Sequence, residues 1–251
     1  MNLMLHCGCR DTPWDQLVQV PCPKPTDTHY PIPHHELYSM VREVMPEFGL
    51  DVVESQHGID KFGSRYFGLM KLHSEADDWS PVLGLRNSHD KTMSAGLVLG
   101  IDVTVCDNLS FYGDLMRFDR KHTKNIERDI TGKIMETLLR TTEQKKRQER
   151  RVEIYQGTKM PDRKAHHFVV KALDAGAVLP RRVPAVLEEW RKPRYEAFEA
   201  RTAWSLFNAF TEAMKGAGQI GTHVGRTGRL HRVFDEELKV NQLIGDISLA
   251  E

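Results

Sequence analysis

The sequence predicts an α+β fold: an N-terminal antiparallel or mixed sheet with a helix, followed by a long helix and a helical C-terminal half. Three observations carry this. Apolar and polar residues alternate with period two in four segments between residues 49 and 108. No helical pattern separates those segments, which argues against doubly wound units. Beyond residue 120 the apolar spacing becomes that of helices and stays so.

Residues 1–30 are expected to form an irregular leader, because Pro13, Pro21, Pro23 and Pro25 forbid a long helix and punctuate any strand. A single α+β domain is expected over 31–251, sheet-rich over 31–115 and helical over 120–251. Its first helix spans Pro33 to Glu47, with Leu37, Val41 and Val44 as one apolar stripe and Phe48-Gly49 closing it. "GLDVVESQ" and "SRYFGLMKL" read as strands linked by the turn-like "HGIDKFG"; "WSPVLGLRNS" and "AGLVLGIDVTVCDN" continue the pattern. From Lys124 to Gln156 there is no proline, and Ile126, Ile130, Ile134 and Leu138 form an i,i+4 stripe. The distal "TTEQKKRQERRVEIYQ" is polar almost all round, so that end is expected to project or to lie over a partner. Four further helices follow: "PDRKAHHFVVKALDAG", with Asp162 as cap and Gly176 as stop, then "VPAVLEEWRKP", "YEAFEARTAWSLFNAFTEAMKG" and "DEELKVNQLIGDISLAE".

Composition excludes several classes. The chain has 251 residues, enough to bury a core without staples. Thirty-five basic residues balance thirty-five acidic ones, which argues against coating nucleic acid through bulk charge. The charges are segregated: Glu36 to Asp90 holds ten acidic and five basic residues, whereas Arg140 to Arg151 holds six basic and two acidic. Cys7, Cys9, Cys22 and Cys106 are too irregularly spaced for a secreted disulfide framework. No apolar run suits a membrane span and no signal peptide is evident, so a cytoplasmic location is expected, with no membrane partner.

The candidate sites are polar clusters. "HCGC" with Cys22 offers His6, Cys7, Cys9 and Cys22 to zinc, but the spacing is tighter than usual and no second knuckle follows, so an incidental set of thiols is favoured and no metal site is assigned. His34-His35 and His166-His167 are neighbours pointing about 100° apart on a helix, so one of each pair can face inward; neither has the HExxH spacing. There is no nucleophile elbow, phosphate loop or dinucleotide fingerprint, and no cofactor is assigned. "GTHVGRTG" could wrap an anion but reads better as a mobile connection. Asn87, Ser88, His89 and Asp90 read first as turn architecture, with ligand contact second and general-base chemistry last, since adjacent residues rarely face each other. Asp107-Asn108 is weighed likewise, Asn being tolerant of a left-handed backbone.

Basic residues are the more suggestive signal. Arg117, Arg120, Lys121, His122, Lys124 and Arg128 cluster where sheet gives way to long helix, and Lys145, Lys146, Arg147, Arg150 and Arg151 crown its polar end. Such charges suit phosphate contacts, and single-strand binding would add exposed aromatics, for which Tyr66, Phe67, Phe111, Tyr112 and Tyr155 are available. The bland alternative is a solvated helix face, with Glu143 and Glu149 in surface pairs.

"RNSHDKT", "VCDN", "RKH", "TAWSLFNAFTEAMKG" and "RTGRLHRVFDEELKVNQLI" occur in this order, and together they resemble the phage- and plasmid-related family known as domain of unknown function 932. The matching positions are Asn87, Ser88 and Asp90; Cys106 and Asn108; His122; Trp204, Asn208 and Glu212; and Arg226, Arg229 and Asn241. The family's Gly after the Asn is Leu109 here, so a looser or differently phased turn is expected. The resemblance implies work on mobile DNA, and the strand-rich half followed by a helix also resembles single-strand annealing recombinases. Asn208 and Glu212 lie i,i+4 on one helix face with Trp204 behind, placed to reach Asn87 or Asn108 across the sheet end.

These readings together predict a mobile-element protein that binds DNA without catalysis, single-stranded DNA favoured, with self-assembly expected if it anneals strands. The alternatives are a protein-interaction module or inhibitor of a host defence system, and a metal-dependent enzyme on nucleotides or nucleic acid using His89, Asp90, Asp107 and His122.

Overall fold

The computed structural model describes residues 9–27, 29–104, 106, 108–111, 118–120, 126–216 and 220–248, the backbone alone at 118–120, 126–129, 220, 221 and 245–248. Seven strands form one antiparallel sheet: β1 (Arg10–Asp11), β2 (Val52–Ile59), β3 (Arg65–Leu72), β4 (Trp79–Ser88), β5 (Ala95–Val103), β6 (Asn108–Phe111) and β7 (Phe118–Arg120). Neighbours in sequence are neighbours in space up to β5, whose far edge is shared end to end by β6 and β7. Short links explain the meander, since antiparallel strands need no crossover helix.

The helices are α1 (Trp14–Val18), α2 (His34–Val44), α3 (Ile126–Gly157), α4 (Asp162–Asp174), α5 (Val183–Arg191), α6 (Ala203–Met214), α7 (Ile220–Glu237) and α8 (Val240–Ser248). The fold is thus α+β, with the sheet first and the helical half after it. Two details of the leader differ from expectation. Arg10 and Asp11 pair with Ile59 and Gly58, and the short α1 buries Leu17 completely. Prolines did not prevent this, because Pro13 sits just ahead of the first turn, where no backbone donor is needed.

The sheet's two faces are treated differently. Tyr66, Met70, Leu83, Leu85 and Leu97 pack against Leu37 and Val41 of α2 and against Ile130, Ile134 and Leu138 of α3. The other face carries a smaller cluster of Phe67, Leu69, Val82, Leu109 and Phe111. Here Gly100 is required: an added Cβ would lie 2.3 Å from the Ser110 carbonyl oxygen and 2.7 Å from Phe111 Cδ1. A third cluster joins Ile101, Val103 and Cys106 at the sheet end to Tyr155, Phe168, Trp190, Phe207 and Phe234 of the helices.

The distal end of α3 does not project. Gln148, Arg151, Val152 and Tyr155 are buried, and Gln148 donates from Nε2 to the Gly100 carbonyl at 2.9 Å. The polar surface meets polar partners inside the molecule. "GTHVGRTG" is likewise no loop; it lies within α7, where Thr227 and His223 are buried. α4 begins after Pro161, and Asp162 caps nothing; its carboxylate instead takes the Trp190 indole N–H at 3.0 Å.

Candidate functional site

The first polar cluster lies at the tips of two neighbouring hairpins. Asn87 is fully buried at the end of β4, and its Nδ2 donates to the Ile32 carbonyl at 2.8 Å and to His34 Nδ1 at 3.0 Å. With Nδ1 accepting, His34 carries its proton on Nε2, which donates to the Gly63 carbonyl at 3.1 Å. His89 stacks on His34 with ring centroids 3.8 Å apart and donates from Nε2 to Ile32, while His29 donates to the His89 carbonyl at 3.2 Å. Burial pushes the His89 imidazole down, against the opposing bond to Ile32. Ser88 Oγ donates to the Met93 carbonyl at 2.7 Å and accepts from its N–H at 3.2 Å.

Asp90 does not face His89. It accepts from Thr92 and holds Arg65 Nε at 2.8 Å. Partial burial pushes its carboxyl up, but the bonds from Thr92 and the Arg65 guanidinium prevail and hold it below the usual range. Side chains here act as backbone mimics and braces for the turns, and each imidazole is committed to a carbonyl. Of the two adjacent histidine pairs, His34 faces inward and His35 is half-buried, while His166 and His167 are both exposed.

The second cluster joins sheet to helices. Asn108 opens β6, 1 % exposed, and its Nδ2 donates to Asn208 Oδ1 at 3.1 Å and to the Asn208 carbonyl at 3.3 Å. Cys106 Sγ lies 3.9 Å from the same Oδ1, and Asn208 Nδ2 donates to the Trp204 carbonyl at 3.0 Å. Lys215 donates to the Cys106 carbonyl and to Glu212 Oε2, 2.6 Å away. Arg194 then bridges Glu212 and Glu189. Burial pushes the Cys106 thiol up to about 12, so it stays protonated and serves packing. Burial also raises Glu189, with Arg194 opposing. Leu109 sits inside β6, buried on the smaller face, so no tight turn follows Asn108 and no glycine is needed there. Asn108 is not among the residues with a left-handed backbone.

The basic residues separate into three groups. Arg117, Lys121, His122 and Lys124 lie outside the described residues, as do Asp107, Tyr112, His6 and Cys7, while Arg120 and Arg128 are placed only by their backbone in β7 and α3. At the far end of α3, Arg151 is buried and grips Asp235 with Nε and Nη2 at 2.9 and 2.8 Å, with Tyr155 donating to the same carboxylate. Arg147 donates to Asn241 Oδ1 at 2.7 Å, Arg150 pairs with Glu153, Lys145 reaches the His73 carbonyl, and Lys146 is exposed. Two of the five, Arg151 and Arg147, are therefore spent on docking α3 against α7 and α8.

The third group gathers cations from distant segments. Arg226 and Arg229 of α7 lie within electrostatic range of Arg181 and Arg182, which stand in a single 3-10 turn before α5. Burial lowers the Arg226 guanidinium, and the charges of Arg229, Arg181 and Arg182 lower it further. Arg229 Nε is fixed on the Gly176 carbonyl at 3.1 Å, aiming the group. Sequence reasoning singles out Arg226 and Arg229 but misses Arg181 and Arg182; the available signal is "PRRVP", a dibasic pair held between prolines.

The described aromatics that the sequence suggests as stacking surfaces are unavailable: Tyr66, Phe67, Phe111 and Tyr155 are all buried. Among the described residues, no group of three or more His, Cys, Asp or Glu side chains is placed to hold a metal ion, and no helix is long and apolar enough to cross a membrane.

Among known proteins, the family model described as a domain of unknown function matches residues 25–241. The chain belongs to the domain of unknown function 932 family. No curated protein and no solved structure matches it. The described positions that carry the resemblance to domain of unknown function 932 fall into three places in the fold, His122 lying outside the described residues: Asn87, Ser88 and Asp90 at the hairpin tips; Cys106, Asn108, Trp204, Asn208 and Glu212 at the junction; Arg226 and Arg229 in the arginine group, with Asn241 holding α8 to α3.

Proposed function

We propose that this protein, a mobile-element protein by family resemblance, binds the phosphate backbone of nucleic acid, single-stranded DNA favoured, and performs no catalysis of its own. The supporting observation is that the charges of Arg181, Arg182 and Arg229 act on Arg226, with Arg229 anchored on the Gly176 carbonyl. Guanidiniums brought near one another create a local positive field that would favour a phosphate placed among them. Planar guanidiniums suit phosphate oxygens better than lysines do. Net neutrality of the whole chain limits long-range attraction but leaves such a local field intact.

Anisotropy of a labelled oligonucleotide, measured across a salt series, tests this. Replacing Arg181 and Arg182 by alanine should weaken binding and reduce the slope of log affinity against log salt by about 0.7 for each single-strand phosphate that is no longer neutralised. Charge reversal at Lys146 reports separately on the end of α3. No measurable retention of the oligonucleotide at low salt, or a slope indifferent to the arginines, would overturn the proposal.

A further inference from the structure

Phe62 is 75 % exposed at the tip of the β2–β3 hairpin, more than any other large apolar side chain among the described residues. An aromatic ring left in water forgoes a burial worth having, so the reason for its position matters. The tip is not loose. Asp60 Oδ1 accepts from the Ser64 and Arg65 backbone N–H groups at 2.7 and 3.1 Å, and the Asp60 carbonyl accepts from Gly63 N–H. Gly63 takes a left-handed φ of 68°, which lets the chain turn back directly behind the ring. Its carbonyl is the acceptor for His34, which Asn87 in turn fixes, and the Ser64 carbonyl accepts from His89 N–H.

The buried polar cluster thus braces a hairpin whose outermost side chain is a phenyl ring. Lys61 Nζ lies 4.7 Å from that ring's centroid, and the adjoining β4–β5 tip adds the exposed Lys91. Asp60 accepts from the backbone of its own turn, and Asp90 is paired with Arg65 and bonded to Thr92. An exposed ring with an ammonium group beside it has the two features that an unpaired nucleotide recognises: a surface for its base and a charge for its phosphate. Bases in a duplex are already stacked and cannot use that face.

We infer that Phe62, presented by the braced hairpin and assisted by Lys61, is a stacking platform for an unpaired base of single-stranded DNA. The inference rests on the backbone-binding reading above and adds a second contact of different chemistry. Because the ring is exposed, Phe62→Ala should fold and melt as the parent does.

Binding of a labelled oligothymidylate is the measurement, for the parent, Phe62→Ala and Phe62→Trp. Loss of one base–aromatic stack should weaken binding roughly 5- to 150-fold in Phe62→Ala. Phe62→Trp should restore it, and the salt slope should stay as in the parent, since every cation that meets a phosphate is still in place. Abasic sites in the oligonucleotide should weaken the parent but leave Phe62→Ala indifferent. Equal affinity of parent and Phe62→Ala, with the arginine-dependent slope intact, overturns the platform and spares the backbone reading. Failure of the parent to bind overturns both. A change confined to self-association or to capture of a protein would make the tip a protein contact and overturn it too.

Discussion

Removing the amide of Asn208 tests whether the contact between Asn108 and Asn208 locks the helical half to the sheet. Asn208→Leu keeps nearly the same shape but takes away the Oδ1 that accepts from Asn108 Nδ2 at 3.1 Å. Asn108 retains the Asn208 backbone carbonyl at 3.3 Å, so the loss should fall toward the low end of the usual range for an impaired buried donor, about 1–2 kcal/mol. Asn108→Leu is harsher. It strands Asn208 Oδ1, 1 % exposed as a residue, with only the weak thiol donor of Cys106, and should cost about 2–3 kcal/mol. In the double variant neither orphan exists, so the combined loss should be smaller than the sum by at least about 1 kcal/mol. Urea unfolding, with midpoint and slope recorded for all four proteins, measures this. In thermal melts each kcal/mol corresponds to about 2–4 °C for a chain of this size. Additivity within about 0.5 kcal/mol would show that the two amides do not act as a unit and would refute the lock.

The native state should be acid-sensitive. Burial holds His223 and His57 neutral, pushing each down to about 4, so below about 6.5 the unfolded chain takes up protons that the native chain refuses. Stability should be complete above that pH and fall progressively toward 4, by about 3 kcal/mol for His223 alone; a urea midpoint constant from pH 7 to 4.5, or a His223→Gln variant with the same pH dependence, contradicts this. Arg151→Leu should cost about 3–5 kcal/mol by leaving Asp235 in a largely buried site with Tyr155 as its remaining donor, and adding Asp235→Leu should recover much of it, as read by urea unfolding.

Much of the sheet was legible because period two is a local signal. "WSPVLGLRNS" is β4 from end to end, and the stripe of Ile130, Ile134 and Leu138 does face the sheet. What failed were the inferences from polarity to exposure at the distal end of α3 and in "GTHVGRTG". Arg151 and Gln148 read as solvated because their partners, Asp235 and the Gly100 carbonyl, lie 84 and 48 residues away in the chain. "GTHVGRTG" read as a loop on its glycines, but Thr227 inside α7 accepts from Phe111 N–H at 3.0 Å, and that tertiary contact outweighs local propensity. The reach of Asn208 toward Asn108 could be foreseen from i,i+4 spacing and two sheet-end amides. The Arg181–Arg182 contribution could not, since nothing local says which arginines a fold will bring together.

The cations of this chain are best distinguished by what they already hold. Arg151, Arg147, Lys215 and Arg194 each satisfy a partner inside the molecule, and charge counted from the sequence overstates their availability. Around Arg226 the charges of Arg229, Arg181 and Arg182 add to one another, although Arg229 too holds a partner, the Gly176 carbonyl. A protein that used all its cations for docking would pair them as α3 does. Like charges gathered in one place create a local positive field that a docking pair does not. The same reasoning separates the aromatics: Tyr66 and Tyr155 are consumed by the core, whereas Phe62 is held in water by a turn that the buried amide of Asn87 helps to fix. The proposed nucleic-acid reading thus rests on position, not composition, and its charged and apolar parts can be removed independently.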